Sequence, residues 1–253
     1  GISSGHPSFA GKAIGGINTI GAGAPTTLFE DDNGHGTHVA GTVCAIGDKD
    51  VYGVSSKCTL YAIKALNKNG SGITSDIIEA IYWCADNDIK VINMSLGTKR
   101  ASKFMKKAVD YAIEKGVVVV CATGNDNGPL SYPAKFSNTI AVGATTSRNK
   151  RAYFSNFGDE MLSRGVMAPG ANIYSSYLNN EYKYLNGTSM ATPHVTGCAA
   201  VLYAYFDKKK GNARKIINIL KSTATDLDGV SKNEQGAGQV NIVNALKKIN
   251  KFN

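Results

Sequence analysis

The 253-residue chain is 43% apolar and 19% charged, with 28 glycines and only 6 prolines, a composition that can bury a sizeable core and excludes a disordered or collagen-like chain. Its length fits one large α/β domain, 1–253, better than two small ones, and no apolar run approaches the ~20 residues of a membrane span. The formal charge of +9 is scattered along helical patterns apart from a cluster at Lys208, Lys209 and Lys210, and without an accompanying nucleic-acid-binding motif it reads as a solvated surface.

In chain order, "DDNGHGTHVAGTVCAI" comes first, placing His35 and His38 near a helix start. Short β-rich runs then alternate with helical patterns: strand 58–66, helix 75–88, strand 90–96, helix 102–115, strand 117–123 and strand 139–145. The strands are continuously apolar, as parallel strands covered on both faces must be, and Gly116 closes a helix at its C-terminus. Short extended pieces run on to Tyr184, followed by a helix from Ser189, another over 213–224 and a last one over 241–249. With no repeat, linker or low-complexity tract, the pattern predicts a three-layer α/β/α domain around a mainly parallel sheet.

Ligands of such sheets bind at the carboxyl ends of the strands. Three polar, glycine-rich segments fall there: "NKNGSG", "SLGT" and "ATGNDNG". In "LNGTSMATPH", Ser189 stands among small residues at a helix N-terminus, where it serves equally well as a capping serine or as a nucleophile approached by a substrate backbone. His35 would serve such a nucleophile as general base if its ring reaches the Ser189 hydroxyl. Asn125, after a buried strand, is either a turn residue or an amide donor to a developing oxyanion. The spacing of His35 and His38 superficially fits a metal pair, but only His6 and His194 remain and no carboxylate motif completes a site. Five cysteines without a CxxC spacing give no zinc signature either. Cys58 opens a strand and Cys84 ends the antiparallel helix after it, so these two are the expected bridge, with Cys44, Cys121 and Cys198 as buried free thiols.

Taken together, "NGHGTHVAGT", "VINMSLG", "VVVVCATGN", "YPAKFSNTIAVGA", "MAPG", "NGTSMATPH" and "GAGQVNIVNA" resemble the subtilisin-like serine proteases, the subtilases, in order and approximate spacing over nearly the whole chain. The resemblance implies a serine endopeptidase that works through an acyl-enzyme, with Ser189 as nucleophile, His35 as base, Asn125 as oxyanion donor and His38 in a structural role. It implies a substrate strand held between Gly70, Ser71, Gly72 and Ser95, Leu96, Gly97. The pocket for the residue before the scissile bond (P1) is walled by Ser95 to Gly97, Ala122, Thr123, Gly124 and Ser131, with Asp126 at its rim, and it favours large apolar side chains. Thr74, Ile77 and Leu96 match the next apolar subsite. No cofactor is implied for the chemistry. The structural calcium of many relatives is put in doubt by Ser8 after "HP" and by a short "GDKDVYG" loop, although Asp48 and Asp50 offer alternative oxygens.

The resemblance further implies polypeptide substrates, an inhibitory prodomain, a secretory location and a monomer. It places the family's third catalytic residue, an aspartate, just before Gly1, so the chain is expected to lack an N-terminal strand of the domain. Asp31 and Asp32 are too close to His35 to substitute for that residue and are expected at the cleft rim. The competing reading is a pseudoprotease that binds peptides or a prodomain without cutting them; the intact Ser189, His35 and Asn125 argue for the enzyme.

Overall fold

The computed structural model describes residues 1–12, 14–21, 26–206 and 212–250, so the lysine cluster at 208–210 lies outside the described residues. Four parallel strands form the central sheet in the order β3 (Val91–Met94), β4 (Val118–Ala122), β5 (Ile140–Thr145), β6 (Gly165–Pro169). β1 (Ile14–Asn18) and β2 (Leu60–Lys64) form a separate parallel pair, and β7 (Ile173–Ser176) and β8 (Tyr182–Leu185) an antiparallel hairpin. Among the described residues, therefore, the parallel strands fall into two groups rather than one continuous sheet.

β4 explains the layering. All five of its residues are buried, and alternate side chains point to opposite faces of a strand. Val119 and Cys121 pack into one cluster with α2 (Thr74–Asp86) and α3 (Lys103–Glu114). Val118 and Val120 pack into a second with α5 (Thr188–Tyr205), α6 (Asn212–Ser222) and α8 (Ile242–Asn250). A strand buried on both faces reads as the unbroken run "VVVVCA", and the result is the expected α/β/α sandwich. α5 lies against the centre of the sheet, with Leu202, Val195 and Ala199 fully buried; each side chain of leucine size contributes about 1.5–3 kcal/mol. α1 (His35–Cys44) covers a smaller third cluster with Ile2, Phe9 and Ala62. Short helices α4 (Glu160–Arg164) and α7 (Lys232–Gln235) complete the fold.

The expected Cys58–Cys84 bridge is not formed. Cys84 is buried with α2 and α3, whereas Cys58 packs against the cluster under α1 that holds Cys44. All five cysteines are free thiols, and burial pushes those of Cys84 and Cys198 up to about 12.

Candidate active site

Ser189 is the second residue of α5, whose N-cap Gly187 supplies no side-chain cap. Of the first-turn amides, that of Thr188 donates to Asn125 Oδ1 and those of Met190 and Ala191 to the Gly187 carbonyl, which leaves the Ser189 N–H among the described bonds without an acceptor. Pro193 sits inside the same helix and has no N–H to offer the carbonyl of Ser189 four residues back. The Ser95 hydroxyl replaces that donor at 2.8 Å, Asn93 Nδ2 donates to Ser95 Oγ at 2.9 Å, and Thr196 Oγ1 donates to Asn93 Oδ1 at 2.9 Å. The chain of bonds thus begins and ends on α5 and locks the helix against the end of β3. The Ser189 hydroxyl itself donates to the Ser95 carbonyl at 3.3 Å.

Asn125 follows β4 and is oriented by the same helix. Its Oδ1 accepts from Thr188 N–H at 2.8 Å and from Thr188 Oγ1 at 2.9 Å, while Thr188 Oγ1 accepts from Gly124 N–H at 3.2 Å. A backbone N–H can only donate, so the amide has one sensible orientation, with Nδ2 left to donate elsewhere. A Cβ on Gly187 would stand 3.4 Å from that Nδ2, which places it against the residues just before Ser189.

His35 opens α1 and is half-buried. Burial lowers its pKa below the ordinary histidine value despite the opposing charge of Asp31, favouring the neutral form that can take a proton. The structure brings Asn125 and Ser189 together through Thr188; the hydrogen bond it gives the Ser189 hydroxyl goes to Ser95 rather than to His35.

The half-buried Asp31 is engaged with the start of α1. One carboxylate oxygen accepts from the amides of Asn33 and Gly34, both at 3.0 Å, and the other from Thr37 N–H at 2.9 Å and Thr37 Oγ1 at 2.6 Å. It caps α1. Burial alone would raise its pKa, but these four donors outweigh that and hold it below the ordinary carboxylate value. Asp32 pairs with Lys64 at 2.8 Å. His38 is fully buried, and its Nε2–H donates to the carbonyls of Ile173 and Lys183, both at 3.0 Å, tying α1 to the β7–β8 hairpin.

Of the cleft residues, Gly97, Gly124 and Ser131 converge: a Cβ on Gly97 would come within 3.0 Å of Ser131 Cβ, and one on Gly124 within 2.7 Å of Ser131 Oγ. Gly124 also has φ +111°, which favours glycine. The sequence reading missed Asn156, whose buried Oδ1 accepts from Asp126 N–H at 2.8 Å and Gly128 N–H at 3.1 Å while Nδ2 donates to Pro129 O at 2.8 Å. It shapes the loop after Asn125, and only its position after "AYFS" in an otherwise apolar stretch hinted at a buried polar role. Thr123 and Ala122 are buried at the end of β4. Asp126 is half-exposed and lies 3.6 Å from Lys99. Gly70, Ser71 and Gly72 form an exposed loop closed by Asn67 N–H to Ser71 O at 2.8 Å. Thr74 lines a groove with Ile78, Glu79, Tyr82 and Phe104, whereas Ile77 is buried in the core.

Comparison with known proteins matches residues 1–238 to the model of the Subtilase family. The chain belongs to the subtilase family. This subtilase is 45% identical over 233 residues to Subtilisin DY of Bacillus licheniformis, covering 90% of this chain and 81% of the relative. It is 44% identical over 246 residues to Subtilisin Savinase of Lederbergia lenta, covering 95% and 86%. Among solved structures it resembles a cold adapted subtilisin-like serine proteinase (TM-score 0.80, 34% identity, 95% and 84% covered) and Sphericase (TM-score 0.86, 33% identity, 95% and 88% covered). The subtilase is a serine endopeptidase by class, and no helix among its described residues is long and apolar enough to cross a membrane.

The calcium-binding positions of the resemblance do not fit a cation here. Ser8 stands where a carboxylate is required, and the Asp48 carboxylate accepts the Tyr182 hydroxyl, which in turn accepts from Ser8 Oγ at 3.0 Å. A neutral phenol therefore links the two groups, its pKa pushed up to about 12 by burial and by Asp48.

Proposed function

We propose that this subtilase hydrolyses peptide bonds through an acyl-enzyme, with Ser189 attacking the carbonyl carbon and His35 taking the hydroxyl proton and returning it to the leaving amine. Asn125 Nδ2 and the Ser189 N–H donate to the oxyanion. The observation that carries this reading is the pair of hydrogen bonds from Thr188 N–H and Oγ1 to Asn125 Oδ1, which orients the amide donor at the start of α5 where Ser189 sits. For acyl transfer to begin, the Ser189 hydroxyl must leave the Ser95 carbonyl and give its proton to His35.

The substrate is a polypeptide, held as an extended strand between 70–72 and 95–97 by main-chain pairing, which reads backbone and gives broad specificity. The P1 pocket, walled by Ser95 to Gly97, Ala122, Thr123, Gly124 and Ser131, takes a large apolar side chain. Lys99 beside Asp126 offsets the attraction that carboxylate would offer a basic one. The loop at 46–53 is held by the Tyr182 bridge without calcium. A secretory setting and control by an inhibitory prodomain follow the resemblance.

One observation favours the peptide-binding, non-cutting alternative, namely that the Ser189 hydroxyl is bonded to Ser95. Turnover of a peptide with an aromatic P1 separates the two readings: cleavage that is lost in both Ser189→Ala and His35→Ala supports the enzyme, whereas tight binding of the peptide with no cleavage by the natural protein rejects it.

A further inference from the structure

The end of α1 far from His35 carries a pair of sulfur groups that the chemistry above does not use. Cys44 is the last residue of α1 and is fully buried, and the turn that follows folds back along it. Gly53 N–H donates to Ala45 O at 2.9 Å, Val54 N–H to Thr42 O at 3.1 Å and Ser55 N–H to Val43 O at 2.8 Å. The fit is close enough that a Cβ on Gly53 would come within 2.4 Å of Cys44 Cα. Cys58 N–H then donates to Ser55 O at 3.0 Å, which turns Cys58 back onto the cluster that contains Cys44.

Both side chains meet the cluster under α1, Cys44 inside it and Cys58 packed against it. They differ in access, since Cys44 is sealed in the core and Cys58 is partly exposed. Lys12 stands beside them, its Nζ donating to Ser56 O at 2.6 Å and Cys58 O at 3.2 Å. The neighbouring Cys44 thiol, the Ser55 side chain and the Lys12 charge together lower the Cys58 pKa against the opposing effect of its burial, while the neighbouring Cys58 and burial raise that of Cys44. The pair thus combines an accessible, thiolate-forming attacker with a buried resolving thiol.

We propose that Cys44 and Cys58 are a reversible disulfide site that closes on exposure to a small-molecule disulfide of the glutathione type. The Cys58 thiolate attacks one sulfur of the reagent, forming a mixed disulfide and expelling one reagent thiolate, which takes up a proton. Cys44 then gives up its proton and attacks the Cys58 sulfur, expelling the second reagent thiol. Two protein thiols are oxidised by two electrons and one small disulfide is reduced to two thiols. The bond fastens the tail of the helix that carries His35 to the entry of β2 and spans the 45–57 segment between them. The proposal is independent of the proteolytic reading.

The test is thiol counting and peptide mapping on the whole chain, reduced and then incubated with oxidised glutathione. The reduced chain holds five titratable thiols in denaturant; after oxidation three should remain, with Cys44 and Cys58 in one linked peptide. The unfolding temperature should rise by roughly 5–10 °C, the effect of closing a loop of this size in a domain of this length. Cys58→Ser should keep all four of its thiols and show no rise, and Cys44→Ala should stop at a stable glutathione adduct on Cys58. Five thiols surviving in the natural chain, an adduct on its Cys58 that never resolves, or a link through Cys84 would overturn the proposal.

Discussion

Two helices carry His35 and Ser189 in their first turns, and different forces hold them in place. α5, which carries Ser189, is fixed by neutral groups at the ends of β3 and β4: Thr188 on Asn125, Ser95 on the Ser189 carbonyl, and Asn93 on Ser95. α1, which carries His35, is fixed by a charge, with the Asp31 carboxylate collecting four donors at its start and His38 tying its second turn to the hairpin. The position of Ser189 should therefore be indifferent to pH, and that of His35 should depend on one ionised group.

The sharpest break falls on α5. Ser189→Ala removes one hydroxyl and no core volume, so turnover should fall by about 10⁶, a figure measured on subtilisin rather than derived from this chain, while the unfolding midpoint stays put. Asn125→Leu should lower kcat by about 10²–10³, again subtilisin's own figure, with KM little changed. It should also cost about 1–3 kcal/mol of stability, because the Thr188 donors lose their acceptor; a mutant altered only in KM would mark Asn125 as a turn residue.

Asp31→Ala tests the charged anchor. Loss of the cap should cost about 1–2 kcal/mol in denaturant unfolding and reduce activity through His35. The pH dependence has a definite sign: Asp31 has a lowered pKa when folded, so its contribution is present above the ordinary carboxylate value and disappears as pH falls through the folded one. Activity has a separate acid limit, because protonated His35 cannot accept a proton. Burial lowers that pKa, so the acid limb of kcat/KM should lie below the ordinary histidine value. The smallest effect is expected at Tyr182→Phe, about 1 kcal/mol from the lost bridge between Ser8 and Asp48, with a chelator leaving the natural protein's unfolding temperature unchanged.

The difference between the two helix ends also marks what the sequence made legible. "GTSMATPH" and "VVVVCATGN" carry their signal locally, in small residues at a helix start and an unbroken apolar strand, and α5, β4, Ser189 and Asn125 lie where those strings predict. The anchor of α1 was not legible, because the spacing of Asp31 to His35 says nothing of the cap, and only the fold shows where the Thr37 hydroxyl points. β1 was missed because "IGGIN" lacks a strand's apolar alternation and is secured by its pairing with β2. Cys58 was assigned to Cys84 on helix geometry alone, whereas backbone bonds from 53–55 to 42–45 deliver it to Cys44. Asn156 has its partners 27 to 30 residues away, and no local pattern announces them.

The central claim is that the start of α5 and the Asn125 amide form one preorganised acyl-transfer site. The most direct measurement is labelling of the natural protein with a fluorophosphonate, followed by peptide mapping of the modified residue. The account predicts a single adduct on Ser189, formed much more slowly in Asn125→Leu and absent in Ser189→Ala. No adduct, or one formed on another serine at an undiminished rate in Ser189→Ala, would contradict it.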